Sequence, residues 1–313
     1  MPRAHSLAWR VAQGLLLVLI VWFAWRTLAS DWPNTVAAWR ATTFRIVPLG
    51  VSALVVLTSY GVLIETWRRV VMAWGGSLPF GIAARIWFVS NLGKYIPGKI
   101  WQITAMGAMA QRAGVSPVAA VGSTLLIAVV NILAGVAVIL FTAGGAIAFP
   151  RWAIYALGVA TVAVAFTPRL LPAVARWAGQ RFGRDVQWPM IPQRTMVFAF
   201  IGCGIAWVLY GVAFRLLVSS FGPVAGAFPA YVAVFTASYL VGYLFLLAPG
   251  GIGVREASLG GLLTQLGLAT VAGATVIVLI SRAWLTVLEL LPGLILLAVT
   301  PKPSTKTNVV DSQ

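Results

Sequence analysis

Six charged residues of this sequence are candidates for chemistry because they lie in strongly apolar segments. They are Lys94, Lys99, Arg255, Glu256, Arg282 and Glu289. An ionised side chain at the centre of a bilayer costs on the order of 2.5 to 3.5 kcal/mol on insertion scales, so charges in such segments usually serve binding or transport. Four of the six are cations, and we therefore expect this part of the chain to recognise an anion.

Two of the apolar segments, 80–112 and 229–268, are interrupted in their middle. Proline removes a backbone donor and glycine favours non-helical backbone, so each interruption is expected to end one half-helix and begin another. The half-helices of the first segment are about 15 residues long, which is short for independent crossing of a membrane. We therefore predict two helical hairpins that enter the membrane and return. The interruptions read Tyr95-Ile96-Pro97-Gly98-Lys99 and Ala248-Pro249-Gly250-Gly251-Ile252-Gly253.

Each interruption is followed by a cation in the first turn of the next half-helix, Lys99 in the first hairpin and Arg255 in the second. A helix N-terminus carries free N–H groups and a partial positive charge, so a cation beside it favours an anion. Two such termini facing each other would form a cationic pocket near the bilayer centre. Arg282 is expected to join this pocket, with Glu256 and Glu289 as counter-charges.

Structural roles compete with binding roles for several of these residues. Lys94 could extend its ammonium group to the cytoplasmic face. Lys99, Arg255 and Arg282 could form buried ion pairs that only lock the fold. Glu65 is expected to pair with Arg68 or Arg69, three and four residues further along its helix. The Trp and Phe side chains are expected mostly at the membrane interface or facing lipid.

The composition excludes a water-soluble globule. Of the 313 residues, 60% are hydrophobic and 9% are charged, whereas about a quarter are charged in soluble domains. The net charge of +16 would suggest nucleic acid in a soluble protein, but here Lys and Arg lie mostly between apolar runs, as membrane topology favours. Cys203 is the only cysteine of the sequence and His5 is the only histidine. We therefore expect no metal cluster and no Ser-His-Asp triad. We predict no cofactor and no nucleic-acid partner.

The apolar runs predict an all-α integral membrane protein with about six full transmembrane helices besides the two broken, re-entrant hairpins. Placing the N-terminus in the cytoplasm puts most loop lysines and arginines inside. The C-terminus is then cytoplasmic as well, and the expected location is the bacterial cytoplasmic (inner) membrane. The predicted full spans are 9–28, 46–65, 117–142, 152–166, 196–218 and 270–299.

The order of span, broken hairpin and span occurs twice, at roughly 45–142 and 195–299, in opposite orientations. Inverted repeats with broken helices are typical of transporters. We predict one membrane domain, 1–300, followed by a disordered cytoplasmic tail, 301–313. The basic loop 168–194 could lie on anionic lipids of the cytoplasmic leaflet, or it could simply fix topology.

Two stretches resemble the signature motifs of the lysylphosphatidylglycerol synthase transmembrane (MprF-type flippase-like) family, and the resemblance extends over about residues 45–300. Ser281-Arg282 and Glu289 are similar to a third, weaker motif of that family. The two stretches are Asn91-Leu92-Gly93-Lys94-Tyr95-Ile96-Pro97-Gly98-Lys99-Ile100-Trp101-Gln102 and Ala248-Pro249-Gly250-Gly251-Ile252-Gly253-Val254-Arg255-Glu256-Ala257.

In two-part members of the family, the membrane region flips aminoacylated phosphatidylglycerol and a soluble C-terminal domain synthesises it. We expect this chain to be a stand-alone membrane domain without the synthase domain, so the resemblance implies a lipid flippase and leaves its substrate open. The functional positions that the resemblance implies are Lys94, Pro97, Gly98, Lys99, Gly250, Gly251, Arg255, Glu256, Arg282 and Glu289.

The predicted function is therefore translocation of a membrane lipid, with an anionic phosphate head group, and not an enzymatic reaction. A zwitterionic or aminoacylated lipid is an alternative substrate, with Glu256 and Glu289 recognising its amine. Three competing functions are a secondary transporter of a small anion, an intramembrane polyprenyl-phosphate-dependent transferase, and a membrane scaffold for a lipid-biosynthesis partner. Protein partners would be a second copy of the chain or a separate lipid-synthesis enzyme.

Overall fold

A computed structural model of the chain describes residues 32–40, 42–95, 100–144, 159, 192–245 and 251–299. Within these ranges the regular elements are helices and no strand is present, so the predicted all-α class is confirmed for the described residues. A short 3-10 helix, Leu92–Tyr95, follows α3. The helices are α1 (Trp32–Arg40), α2 (Ile46–Ala73), α3 (Phe80–Asn91), α4 (Ile100–Arg112), α5 (Pro117–Thr142), α6 (Gln193–Ser219), α7 (Phe228–Leu244), α8 (Val254–Gln265) and α9 (Val271–Ala298).

Four of these helices, α2, α5, α6 and α9, are long and apolar enough to cross a membrane. Each has 26 to 28 residues, which at the α-helical rise gives roughly 40 Å, more than the hydrocarbon core requires. They correspond to four of the predicted spans. The predicted spans 9–28 and 152–166 lie outside the described residues apart from Val159. The loop from 168 to 191 and the tail 301–313 also lie outside them.

Helix α2 continues past the end of its predicted span, from Glu65 to Ala73. Glu65 pairs with Arg68 at 2.7 Å and with Arg69 at 2.8 Å, as predicted. These pairs join residues three and four apart, which are neighbours on a helix surface. The charged turn is therefore accommodated as helix and does not end it.

The two segments predicted as hairpins form pairs of shorter helices that pack against each other, α3 with α4 and α7 with α8. That these pairs enter the membrane and return stays a prediction. Residues 96–99 and 246–250, at the two interruptions, lie outside the described residues. Gly251 and Gly253 precede α8 with φ angles of 69° and 85°. Residues with side chains rarely adopt such backbone angles, so these two glycines allow the chain to turn into α8.

Helices α2 and α6 pack closely along their length at the centre of the fold. The Ser52 hydroxyl donates to the Ala213 carbonyl at 2.7 Å, and the Ser59 hydroxyl donates to the Ala206 carbonyl at 2.9 Å. Because the later serine contacts the earlier residue of α6, the two helices are antiparallel. Each buried hydroxyl has a partner, which removes the cost of burying it.

The hairpins pack against the remaining long helices at two glycines. A Cβ atom on Gly135 of α5 would lie 2.9 Å from the Leu240 side chain of α7. A Cβ atom on Gly293 of α9 would lie 3.0 Å from the Phe88 carbonyl of α3. Because glycine has no side chain at these two positions, α7 can approach α5 and α3 can approach α9 closely. The long helices and the hairpins together enclose a central space.

Candidate functional site

The central space is a cavity of about 170 Å³ to which every helix from α2 to α9 contributes side chains. A single water molecule requires only roughly 10 to 15 Å³ on such a measure, so the cavity can hold a polar group of several atoms. Arg255, Arg282 and Glu289, three of the predicted site residues, line it. The structure therefore brings together charges from two separate helices, α8 and α9.

Arg255 is the most deeply buried cation of the cavity wall, with 7% of its surface exposed. Its guanidinium carbon lies 4.5 Å from the ring centroid of Tyr239 and 5.4 Å from that of Phe235. Cation–π contact offsets part of the cost of removing the charge from water. Its Nη2 atom is buried and has no hydrogen-bond partner in the described part of the chain. A buried, unsatisfied donor is costly, so an acceptor bound in the cavity would stabilise it.

Gly242 and Gly251 determine where Arg255 lies. A Cβ atom on Gly242 would be 2.7 Å from the Arg255 Cβ atom and 3.4 Å from its Cα atom. A Cβ atom on Gly251 would be 2.7 Å from the Gly242 carbonyl oxygen. Real Cβ atoms do not approach so closely, so only glycine lets the start of α8 pass directly over α7. This close passage places the Arg255 side chain at the cavity.

Glu256 links the start of α8 to α9. One of its carboxylate oxygens accepts from the Gly253 backbone N–H at 2.6 Å, and the other accepts from Nη1 of Arg282 at 3.1 Å. The first contact caps the helix, because it satisfies an N–H group that has no partner within the helix. The second confirms that Arg282 meets a counter-charge on another segment. Both side chains retain about a fifth of their exposure, 22% and 23%.

Glu289 is nearly fully buried, with 6% of its surface exposed. It lies seven residues after Arg282 on the cavity-lining face of α9. Tyr60 and Tyr210 are close enough to Glu289 to interact with its charge. Glu289 and these two tyrosines therefore line the same cavity.

Several predicted site residues lie outside what the structure describes. The backbone of Lys94 belongs to the 3-10 helix Leu92–Tyr95, but its side chain is not described. Neither the backbone nor the side chain is described for Pro97, Gly98, Lys99, Pro249 and Gly250. The facing of two cationic half-helices therefore stays a prediction.

The sequence interpretation missed an aromatic wall of the cavity. Tyr60 and Tyr210 meet edge to face with centroids 5.9 Å apart, and Trp207 and Tyr239 meet in the same way at 5.4 Å. The expectation that Trp and Phe face mostly lipid or the interface is wrong for α2, α6 and α7, where Trp67, Trp207 and Phe235 are buried. Their contacts join helices that are distant in the sequence, so helical spacing alone could not find them.

Neutral polar residues at the cavity were also missed, among them Asn91, Gln102, Thr124 and Asn131. The Gln102 amide donates to the Asn91 side-chain oxygen and joins α3 to α4. A signal was available for Asn131, which is the single amide side chain in the otherwise strongly apolar helix α5. A lone amide in an apolar helix usually finds a polar partner.

An array of membrane-length helices around a charged and polar cavity defines a multi-pass membrane protein. The chain belongs to the family described as the lysylphosphatidylglycerol synthase TM region, whose model matches residues 10–293. This match confirms the family that the motif stretches suggested, and it includes both interrupted segments and all six charged candidate residues. Comparison with curated proteins gives no match.

Proposed function

We propose that the protein translocates a lipid with an anionic phosphate head group across the cytoplasmic membrane. The observation that carries this proposal is the buried Nη2 donor of Arg255, which lies at the wall of a cavity among membrane-length helices and has no partner in the described residues. Membership of a family named after lysylphosphatidylglycerol synthase supports a lipid as the substrate.

A phosphate group matches the donors of this wall. Its oxygens would accept from Arg255 and from Arg282, and charge-assisted bonds of this kind are about twice as strong as neutral ones. The N-terminus of α8, which begins at Val254, adds a partial positive charge. Lys99 would supply a further cation from the first hairpin. The lipid tails would stay in the bilayer while the head group crosses.

The proposal includes two inverted repeats, 45–142 and 195–299, with six full spans and two re-entrant hairpins. Three features support it. The first helices of the repeats, α2 and α6, are antiparallel. Each hairpin packs against the last helix of the other repeat, α3 on α9 and α7 on α5. Cavity-lining positions also recur at one constant offset between α5 and α9. The recurring pairs are Thr124 with Arg282, Ile127 with Leu285, Ala128 with Thr286 and Asn131 with Glu289.

Movement of the repeats against each other would open the cavity to one side of the membrane and then to the other. The sequence contains no phosphate-binding P-loop, so transport would run downhill or be coupled to an ion or to the membrane potential. During crossing, Arg255 and Arg282 would replace the water that the phosphate loses. We also propose that both chain termini lie in the cytoplasm, from the distribution of basic loop residues.

The test is a flipping assay in proteoliposomes. Phosphatidylglycerol with a fluorescent acyl chain is reconstituted with the protein, and dithionite quenches only the outer leaflet. Wild-type protein should extend quenching beyond the roughly one half seen without protein. Arg255→Gln should slow it about 10-fold or more, because a charged hydrogen bond contributes about 1.5 to 3 kcal/mol.

Arg69→Gln is the matched control, since Arg69 pairs with Glu65 outside the cavity. It should flip lipid at the wild-type rate. Equal quenching with and without wild-type protein, or equal rates for Arg255→Gln and wild type, would overturn the proposal.

A small soluble anion is the second candidate, because the cavity of about 170 Å³ is smaller than a whole lipid. The same guanidinium groups would bind free phosphate. Counterflow of radiolabelled phosphate into phosphate-loaded proteoliposomes, without any movement of fluorescent lipid, would favour this candidate over a flippase.

A further inference from the structure

We propose that the protein moves one proton together with each anionic head group, and that Glu289 carries this proton across the membrane. This inference rests on the proposed function and names the ion to which transport is coupled. It also gives transport a direction, because a proton gradient then drives the head group towards the less acidic side. Glu289 is a buried carboxylate of the cavity wall that binding of a phosphate to the arginines does not use.

The sequence offers few candidates for a proton carrier. Aspartate, glutamate and histidine are the side chains that usually relay protons through membranes, and the chain has six Asp and Glu residues and one histidine. Glu65 pairs with two arginines outside the cavity. Glu256 and Glu289 belong to α8 and α9 and are the remaining candidates within helices α2 to α9. The others are His5, Asp31, Asp185 and Asp311.

The surroundings of Glu256 and Glu289 favour different protonation states. Glu256 accepts from the Gly253 N–H at 2.6 Å and from Arg282 at 3.1 Å, and hydrogen bonds to a carboxylate favour its charge. Glu289 has only 6% of its surface exposed, and burial favours the neutral acid. Because Glu289 also lines the cavity, a proton can reach it whenever the cavity opens to water.

Tyr210 links Glu289 to the anion site. It interacts with the charges of both Glu289 and Arg255, so the acid and the most buried cation lie near the same side chain. Without a bound anion, the positive charge of Arg255 stabilises ionised Glu289. A phosphate on Arg255 offsets that charge and adds a second negative charge to the cavity. Both changes favour a proton on Glu289.

The other charged and titratable groups around α9 do not replace Glu289 in this role. Arginine stays protonated and tyrosine stays neutral at physiological pH. Lys94 lies on the 3-10 helix that contacts α9, and Arg40 and Arg85 lie on helices α1 and α3, which pack against α9. Those that line the cavity with Glu289 are Tyr60, Tyr210, Tyr239, Tyr243, Arg255 and Arg282, and Glu256 pairs with Arg282.

Proton and anion travel in the same direction because each favours binding of the other. A proton from the acidic side adds to the Glu289 carboxylate as the phosphate binds Arg255. After the cavity opens to the other side, the phosphate leaves and the acid returns its proton to water there. One positive and one negative charge cross together, so a difference in pH drives transport and the membrane potential does not.

The repeat explains why one proton moves in each cycle. Asn131 occupies the position in α5 that corresponds to Glu289 in α9, and its amide cannot take up a proton. The proton site therefore exists in one repeat alone. In a cytoplasmic membrane whose outer side is more acidic, the head group would move from the outer to the inner leaflet.

The experiment measures where phosphatidylglycerol with a short fluorescent acyl chain accumulates under a pH gradient. Proteoliposomes are made about one pH unit more acidic outside than inside, and valinomycin with equal potassium on both sides holds the potential at zero. Albumin then extracts the label from the outer leaflet. Transport of one proton per lipid should raise the inner-to-outer ratio of label about 10-fold, beyond the passive change in vesicles without protein.

Glu289→Gln should abolish this accumulation, because a glutamine amide cannot take up and release a proton. Glu289→Asp keeps a carboxyl group and should accumulate the label again. Glu65→Gln is the matched control, since it removes a carboxylate that pairs with Arg68 outside the cavity. It should give the same distribution of label as the wild type.

A second measurement uses wild-type protein alone and decides the case where the Glu289 variants do not fold. Binding of short-chain phosphatidylglycerol in detergent is followed by calorimetry in two buffers of different ionisation enthalpy. The difference between the two apparent enthalpies should give net uptake of up to one proton per bound lipid. Lowering the pH should tighten binding by up to about 10-fold per pH unit.

Flipping by the wild type without any accumulation under the gradient would overturn this inference and leave the flippase proposal intact. Accumulation in the more acidic leaflet, or binding without proton uptake, would also overturn it. Accumulation by Glu289→Gln equal to that of the wild type would show that another group carries the proton. Failure of the wild type to move the lipid with or without a gradient would instead refute the proposed function itself.

Discussion

Replacing Glu256 with glutamine tests whether this carboxylate competes with the substrate for Arg282. Glu256 accepts from Arg282 at 3.1 Å and from the Gly253 N–H at 2.6 Å. A glutamine side-chain oxygen can still accept from Gly253, so the start of α8 should keep its cap. The substitution removes the negative charge that Glu256 presents to Arg282.

The size of the effect follows from these contacts. A hydrogen bond to a charged group contributes about 1.5 to 3 kcal/mol and a neutral one about 0.5 to 1.5 kcal/mol. Both side chains are about a fifth exposed, and solvent screening weakens such pairs, so we use a difference of about 1 kcal/mol. If a phosphate must displace Glu256 from Arg282, Glu256→Gln should bind it roughly fivefold more tightly.

The assay is isothermal titration calorimetry of detergent-solubilised protein with short-chain phosphatidylglycerol. Glu65→Gln is the control, because it removes a second glutamate–arginine pair, that of Glu65 with Arg68, at a distance from the cavity. Unchanged or weaker binding by a folded Glu256→Gln protein would refute the reasoning. Glu256 would then be a cap or a direct ligand, and not a competitor.

The packing leads to three further predictions. Gly242→Ala should weaken phosphatidylglycerol binding 10-fold or more in the same titration, because its Cβ would meet Arg255 at 2.7 Å; Gly260→Ala, whose Cβ would lie 3.7 Å from its nearest neighbour, should bind normally. Ser59→Ala should lower the stability of the protein in detergent by about 0.6 kcal/mol, because its hydrogen bond to α6 is lost. Thermal unfolding measures this change, with Thr58→Ala as the control. Unchanged stability would show that this hydrogen bond is not stabilising. Glu65→Ala should cost less than about 1 kcal/mol and leave flipping at the wild-type rate, since its pairs are partly exposed, and slowed flipping would contradict this.

The sequence was sufficient to predict the positions of helices α2 to α9, but not α1, and to predict the charged residues of the cavity. Apolar length predicted the four long helices, and Pro-Gly interruptions predicted the half-helices α3, α4, α7 and α8. Arg255, Arg282 and Glu289 could be identified because each is a charged residue in an apolar segment. Burying a charge is costly in any fold, so such residues usually have a function.

The aromatic and amide residues of the cavity could not be predicted from the sequence in this way. Tyr60, Trp207 and Asn131 become neighbours only through packing between helices far apart in the chain. Gly242 appears as an ordinary glycine of an apolar helix until α8 is seen to pass over it. Such roles depend on tertiary contacts, and spacing along one helix does not encode them.

The packing of α3 against α9 at Gly293 has a consequence for biosynthesis. Helix α3 is synthesised early, but α9, which covers it, is the last of the described helices to be synthesised. Until then, α3 lacks this one neighbour, and the cavity lacks the wall that carries Arg282 and Glu289. A chain truncated before α9 should therefore expose α3 to lipid and to quality-control proteases. Assembly of the cavity is therefore tied to the synthesis of α9, and the segment up to α8 is not expected to form the cavity without it.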